Sequence, residues 1–276
     1  MSKDFIPIKF KELSEIELDN HLGEVIFTDH AQTTTVLDYC LNKKINHFVQ
    51  KSNILHNHEI SVSESMNSDP DLFLNFPLSV ILGEKKPTQN SENSLKEVSF
   101  EVENVLDKIK LLSEIETFVS GVTKSTSVLH DILNSVDELF TNAVYNAPYV
   151  SFDNEKSGID RNFENAVIDC NKKPYVFAGF DQERIIIGCK DQYGTLNIEK
   201  LLSRIKNCYE SNIARVINYG TGGAGIGAYL IFESSCSLYL NVSKGKHTLI
   251  CCSFAYKLNA TSRSQIPKNL HIYRSV

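Results

Sequence analysis

The chain has 276 residues, 42% of them hydrophobic and 22% charged, which is enough apolar mass for one large domain or two modest ones and excludes a disordered or collagen-like protein. Its net charge of −6 argues against a protein that mainly neutralises nucleic-acid phosphates, because that work needs clustered Lys and Arg. The charge is uneven: residues 1–90 carry eight Lys, no Arg and thirteen acidic side chains, and all six arginines lie at or after Arg161.

The first residues, Met1 to Pro7, hold no apolar segment of the length a secretory signal needs. No later stretch approaches the roughly 18 unbroken apolar residues of a membrane helix, so a cytoplasmic protein without membrane contact is expected. Glu24–Thr28 reads as a strand, Gln32–Leu41 as a helix, Ile45–Gln50 as a strand, and Asp69–Leu82 as a helix opened by Asp and Pro. This alternation predicts a small N-terminal α/β domain over 1–90. The end of the first strand offers Asp29 as the one phosphoacceptor of a degenerate receiver, although a capping or turn role is the plainer reading. His56 and His58 have no matching pair at metal-ligand spacing and read as loop residues. The polar stretch Glu84–Ser94 carries a Pro and no apolar period, so the boundary to a second domain, 91–276, is placed there.

Downstream, Val98, Val102, Val105, Ile109, Leu112, Ile115 and Val119 keep a three-or-four spacing and predict a helix ending near Gly121. A second helix runs from a cap at Ser125 or Ser127 to Ala147, where Pro148 stops it. The period then changes to two. Tyr175–Phe180 with Arg184–Cys189, and Ser237–Val242 with His247–Phe254, predict two hairpins turning at Asp181-Gln182 and Lys244-Gly245. Helical patterns at 197–210 and 226–235 lie between them. The expected fold is an α/β (α+β) sandwich whose C-terminal part is a mixed sheet backed by helices on one face. The seven cysteines form no Cys-x-x-Cys pair and sit mostly in apolar strings, so they read as buried, reduced thiols.

Three motifs carry chemistry. Glu138, Asn142 and Asn146 are spaced by four and share one face of the second helix. A carboxylate plus carboxamides on such a stripe can hold a hydrated Mg²⁺ and orient a water, where the bland alternative is a solvated polar face. Next, Arg184–Asp191 reads as a strand delivering Asp191 just before a turn at Gly194, a way to fix a carboxylate at a pocket floor; alone, this pattern is common in turns. Finally, Gly220–Gly227 places five of the chain's thirteen glycines in eight residues ahead of a helix, an arrangement that lets backbone N–H groups approach phosphate. The string Gly220-x-Gly222-x-x-Gly225 also fits a dinucleotide fingerprint, but only about fifty residues follow and they read as a hairpin, not as further βα units.

In this order and spacing, the motifs resemble the Bergerat-type ATPase superfamily of histidine kinases, anti-sigma serine kinases, gyrases and related chaperones, over roughly residues 100–256. Asp137-Glu-Leu-Phe-Thr-Asn-Ala-Val144 is most similar to the anti-sigma branch. The resemblance implies ATP and Mg²⁺ as cofactors. It places Asn142 on the metal, Glu138 as base or water-ordering group, Asn146 beside the nucleotide, Asp191 on the adenine amine, Gly194 in the adenine turn, Gly223, Gly225 and Gly227 along the phosphates, and Thr248 near the adenine. Residues 197–222 would then form a lid, with Arg204, Lys206 and Arg215 facing either phosphates or solvent. Two positions depart from the family: Tyr193 replaces a glycine of the adenine turn, and Asn146 stands where a cation is frequent. His130 lies only eight residues before Glu138 on the same helix and cannot reach its own pocket as a phosphoacceptor.

The function these residues imply is that of a bacterial ATP-binding signalling protein, phosphorylating a regulatory protein partner on Ser or His. The alternative is a catalytically inactive, nucleotide-gated or nucleotide-free scaffold. No nucleic-acid partner is expected, and a homodimer is an open option.

Overall fold

The computed structural model describes residues 10–11, 25–29, 31–51, 53, 56–83, 96–148, 168–211 and 226–275. In chain order these form β1 (Phe10–Lys11), β2 (Val25–Thr28), α1 (Thr33–Asn42), β3 (His47–Gln50), α2 (His56–Ser68), α3 (Pro70–Asn75), α4 (Pro77–Leu82), β4 (Lys96–Glu101), α5 (Asp107–Val122) and α6 (Thr126–Thr141). The last runs on through a π-helical turn, Asn142–Asn146. There follow β5 (Tyr175–Phe180), β6 (Ile185–Asp191), α7 (Ile198–Glu210), α8 (Ile226–Ser234), β7 (Ser237–Ser243), β8 (His247–Phe254), α9 (Ala260–Ser264) and β9 (Asn269–Ser275).

All nine described strands join one mixed sheet in the order β1-β2-β3-β9-β7-β8-β6-β5-β4. The β5–β6 and β7–β8 pairs are antiparallel hairpins, and β6 pairs antiparallel with β8, so that Asp191 stands opposite Thr248. Parallel pairs occur at β1–β2, β2–β3 and β7–β9. The architecture is therefore an α+β sandwich.

Successive strand residues alternate between two cores, as the two-residue period of a strand requires. Ile185, Ile187, Leu238, Leu240 and Cys252 face the larger core, beneath α1, α5, α6, α7 and α8. Phe177, Ile186, Tyr239, Leu249 and Cys251 face the other, beneath α2, α3 and α4. Helices of the C-terminal part thus back one face of its sheet, and helices from residues 56–82 cover the opposite face. The stretch 84–94, taken above as a linker, lies outside the described residues. The chain on its two sides shares the sheet, through the antiparallel β3–β9 pair, and shares the larger core, which contains Ile26, Leu37 and Phe48 together with Val136 and Ile187.

Several elements differ from the sequence expectation. The helix expected from Val98 begins only at Asp107, because Lys96–Glu101 pairs with β5 as a strand. The Asp107 carboxylate accepts the backbone N–H groups of Glu103 and Asn104 at 2.8 and 2.9 Å and fixes the turn between the two. Ile109, expected on the buried face, is 77% exposed and Leu111 is buried instead, while Ile115 and Val119 are buried as expected. The single helix expected over 69–82 is two, broken where Pro77 lacks a donor and cannot continue the preceding turn. His56 and His58 lie in a helix and not in a loop. Among the described residues, the exposed Asp29 carboxylate pairs with Lys51 at 3.5 Å, and Gln32, not Asp29, takes the N-cap position of α1.

Beneath α2 lies a charged network removed from water. Glu59 is 0% exposed, and its Oε1 accepts from the Ser237 and Tyr239 hydroxyls, each at 2.8 Å. Arg184 Nη1 lies 3.5 Å from the same oxygen, and His271 Nε2 lies 2.9 Å from Oε2. The His271 ring in turn meets His47, whose Nε2 lies 3.0 Å from Asn67 Oδ1. Burial pushes the Glu59 carboxyl up, but His271, Arg184 and Tyr239 together outweigh it and hold its pKa below the ordinary value. His47 is lowered to about 3, by burial first and by the neighbouring His271 second.

Candidate functional site

Helix α6 begins at Ser125, whose hydroxyl accepts the Val128 N–H, and buries Val128, Ile132, Val136, Leu139 and Phe140 against the sheet. That apolar stripe turns Glu138, Asn142 and Asn146 away from the core as a hydrogen-bonded ladder. Asn142 Nδ2 donates to Glu138 Oε1 at 3.1 Å, and Asn146 Nδ2 donates to Asn142 Oδ1 at 2.6 Å. Glu138 and Asn142 are half-buried and Asn146 is exposed. The ladder crosses the π turn, where the Ala147 N–H reaches back five residues to the Asn142 carbonyl. Such insertions recur at functional positions in helices.

At the end of β6, Asp191 is 7% exposed, and its Oδ1 accepts the Tyr193 N–H at 2.8 Å and the Gly194 N–H at 3.3 Å. Burial raises the Asp191 pKa, while these N–H groups and Thr248 hold part of the rise back. The Thr248 hydroxyl, beside that carboxyl, is buried and finds no well-aligned hydrogen-bond partner among the described residues. Gly194 has φ +61° and lies against the β7–β8 turn, where a side chain would overlap the Ser243 carbonyl oxygen. Only glycine fits there. Its carbonyl accepts the Gly245 N–H at 3.2 Å, so the loop after Asp191 is pinned to the neighbouring hairpin. Tyr193, which departs from the family pattern, is buried, with Lys172 Nζ 4.8 Å from its ring centroid.

The loop after β6 and the end of α6 are tied together. Thr195 Oγ1 donates to the Ala147 carbonyl at 3.1 Å, which brings the Asp191 turn to the helix end that carries Asn142 and Asn146. The sequence reading passed over Thr195 although it directly follows Gly194. Gly223 and Gly225 lie outside the described residues. Gly227 is in the first turn of α8 and packs on the Glu138 carboxyl.

Beyond Glu138, toward the start of α6, a cavity of about 610 Å³ opens between α6, α8 and α9. Its lining includes His130, Asn134, Glu138, Gly227, Leu230 and Arg263. Arg263 Nη2 bonds Asp131 at 2.6 Å, a pairing across 132 residues of chain that no local pattern announces. His130 is exposed and bonds Asn134 one turn on, as a helix-surface residue would.

The lid candidates divide. Residues 198–210 form α7, packed on α1 and α8 with Leu202, Ile205 and Cys208 buried. Lys206 is engaged with Asp38 at 2.6 Å and Glu210 at 3.3 Å, so its charge is used between helices and not on a phosphate. Arg204 is exposed, and Arg215 lies outside the described residues. Six of the seven cysteines are buried and all are free.

The donors on the α6 stripe are oxygens of one carboxylate and two carboxamides, suited to a hard cation such as Mg²⁺ that keeps several waters. Among the described residues no group of three or more His, Cys, Asp or Glu could hold a metal ion unaided. No helix of the described residues is long and apolar enough to cross a membrane. No protein-family model matches the chain, and no curated protein is significantly similar to it.

Proposed function

We propose that this chain is an ATP-binding regulatory protein of the Bergerat type, working in the cytoplasm on a protein partner. The observation that carries the reading is the convergence, on adjoining strands, of the buried Asp191 carboxyl and the Thr248 hydroxyl beside it, next to a helix end bearing Glu138, Asn142 and Asn146. The Asp191 carboxylate can accept from an exocyclic adenine amine, with Thr248 at its side. Asn142 and Glu138 would hold Mg²⁺ and a water next to the phosphates, and the metal would neutralise charge on the transferring group. With Glu138 as proton acceptor, the reaction class is phosphoryl transfer to a Ser or His of the partner.

The test is titration of a fluorescent ATP analogue with and without Mg²⁺. Wild type should bind, more tightly with Mg²⁺, and Asp191→Asn should lose about tenfold in affinity, or about 1.4 kcal/mol. Unchanged affinity in Asp191→Asn, or no binding to wild type, sinks the reading. A second reading, a nucleotide-gated scaffold without chemistry, is favoured by Asn146, a neutral side chain tied to Asn142 where kinases often carry a cation. Binding without turnover or phosphotransfer selects it.

A further inference from the structure

Gly227 was expected along the phosphates, but its surroundings give it another task. A methyl group built on its Cα would overlap all three atoms of the Glu138 carboxyl, with nothing else closer. The carboxyl thus fills the volume that any other residue at 227 would claim. On its other side it accepts from Asn142 Nδ2 at 3.1 Å. Two contacts from different elements, α6 and the first turn of α8, leave this flexible side chain little choice of orientation. The α8 start also places the positive end of a helix dipole beside the negative charge. The same carboxyl and Gly227 form part of the wall of the 610 Å³ cavity, through which an acceptor group or water would reach it.

We propose that Gly227 is a positioning residue: the space left by its missing side chain sets the aim of the Glu138 carboxylate between Asn142 and the cavity. The proposal deepens the reading of Glu138 as the base of the site, and its role in turnover rests on that reading. It accounts for a glycine in the first turn of α8, where alanine is the better helix former. A base must meet its proton at hydrogen-bond distance, and a misplacement of about 1 Å can cost on the order of 100-fold in rate.

The contact is tested without nucleotide by a double-mutant cycle in thermal unfolding. The atoms in the way are the end of one flexible side chain, so Gly227→Ala should lower Tm only modestly, by roughly 3 °C or less, in the Glu138 background. In Glu138→Ala it should leave Tm unchanged or raise it, since alanine is the better helix former. The side-chain amide resonances of Asn142 should shift in Gly227→Ala, whereas in the Glu138→Ala background the same substitution should leave them unmoved. Additive Tm changes with unmoved Asn142 signals overturn the proposal, whatever ATP does. The role in turnover is read from Mg·ATP kinetics: Gly227→Ala should lower kcat at least tenfold with the affinity for the ATP analogue kept within about threefold. Full kcat in Gly227→Ala overturns that role. Failure of wild type to bind ATP while the coupling persists removes the nucleotide reading and leaves the positioning contact standing.

Discussion

Two glutamates, one on each face of the sheet, have opposite surroundings. Glu59, under α2, is sealed from water and surrounded by Ser237, Tyr239, Arg184 and His271. Glu138, on α6, is half-buried, accepts one side-chain hydrogen bond from Asn142 and borders a cavity. A carboxylate surrounded by its own protein's donors has little capacity left for a ligand, whereas one held in orientation but left open has. The sealed face is where the fold is fastened, and the open face is where chemistry has room.

The largest effect should come from breaking the fastening. Glu59→Ala leaves His271, Ser237 and Tyr239 without their shared carboxylate and Arg184 with Asp181 alone, and loss of one partner of a buried pair costs about 3–5 kcal/mol. Urea unfolding should show this as a lower midpoint; a change under about 1 kcal/mol would mean the network is not what secures α2. A second effect follows from pH. His47, lowered from 6.5 to about 3, stays neutral in the folded chain while its unfolded counterpart takes a proton, so stability should fall as pH drops from 6.5 toward 3. The slope approaches about 1.4 kcal/mol per pH unit where one proton separates the states. Glu59, depressed below 4.5, adds to the loss once pH falls through its folded value. Asp191 works the other way, because its raised pKa makes its contribution largest at low pH and smaller as pH rises through the folded value. Replacing His47 with Gln should flatten the limb between pH 6.5 and 3; an unaltered profile would assign it elsewhere. The smallest effect belongs to Glu138→Gln, expected to shift unfolding free energy by no more than about 0.5 kcal/mol while abolishing any base-dependent turnover. A large loss of stability there would erase the contrast between the two carboxylates.

The open face was legible because its signals are local. The α6 stripe, both hairpins and the Asp191–Gly194 turn are set by residues within a few positions of one another, and the strands and helices expected there are present. The sealed face was not. The inward positions of α2 are Glu59, Val62, Ser63 and Met66, half of them polar, so the apolar period that announces a helix is missing. Arg184 opens an expected strand, but nothing nearby in the sequence marks it as buried; it is 0% exposed, its Nη2 donating to the Ile81 carbonyl. Residues 98–106 failed for a different reason: Val98 and Val102 fit a helical spacing by coincidence with a strand and its turn. Strand β9 also went unannounced, since its pairing with β3 joins His47 to His271, a separation no local window covers.

That last strand has a kinetic consequence. With β9 lying between β3 and β7, the β1–β3 flank joins the rest of the sheet only when His47 meets His271, 224 residues further along the chain. Folding dominated by such long-range pairing is slow, and an early intermediate would present β3 and β7 as raw edges able to pair with a neighbouring chain. A truncation that removes Asn269–Ser275 would make those edges permanent, and its first symptom should be self-association during refolding rather than a loss of nucleotide affinity.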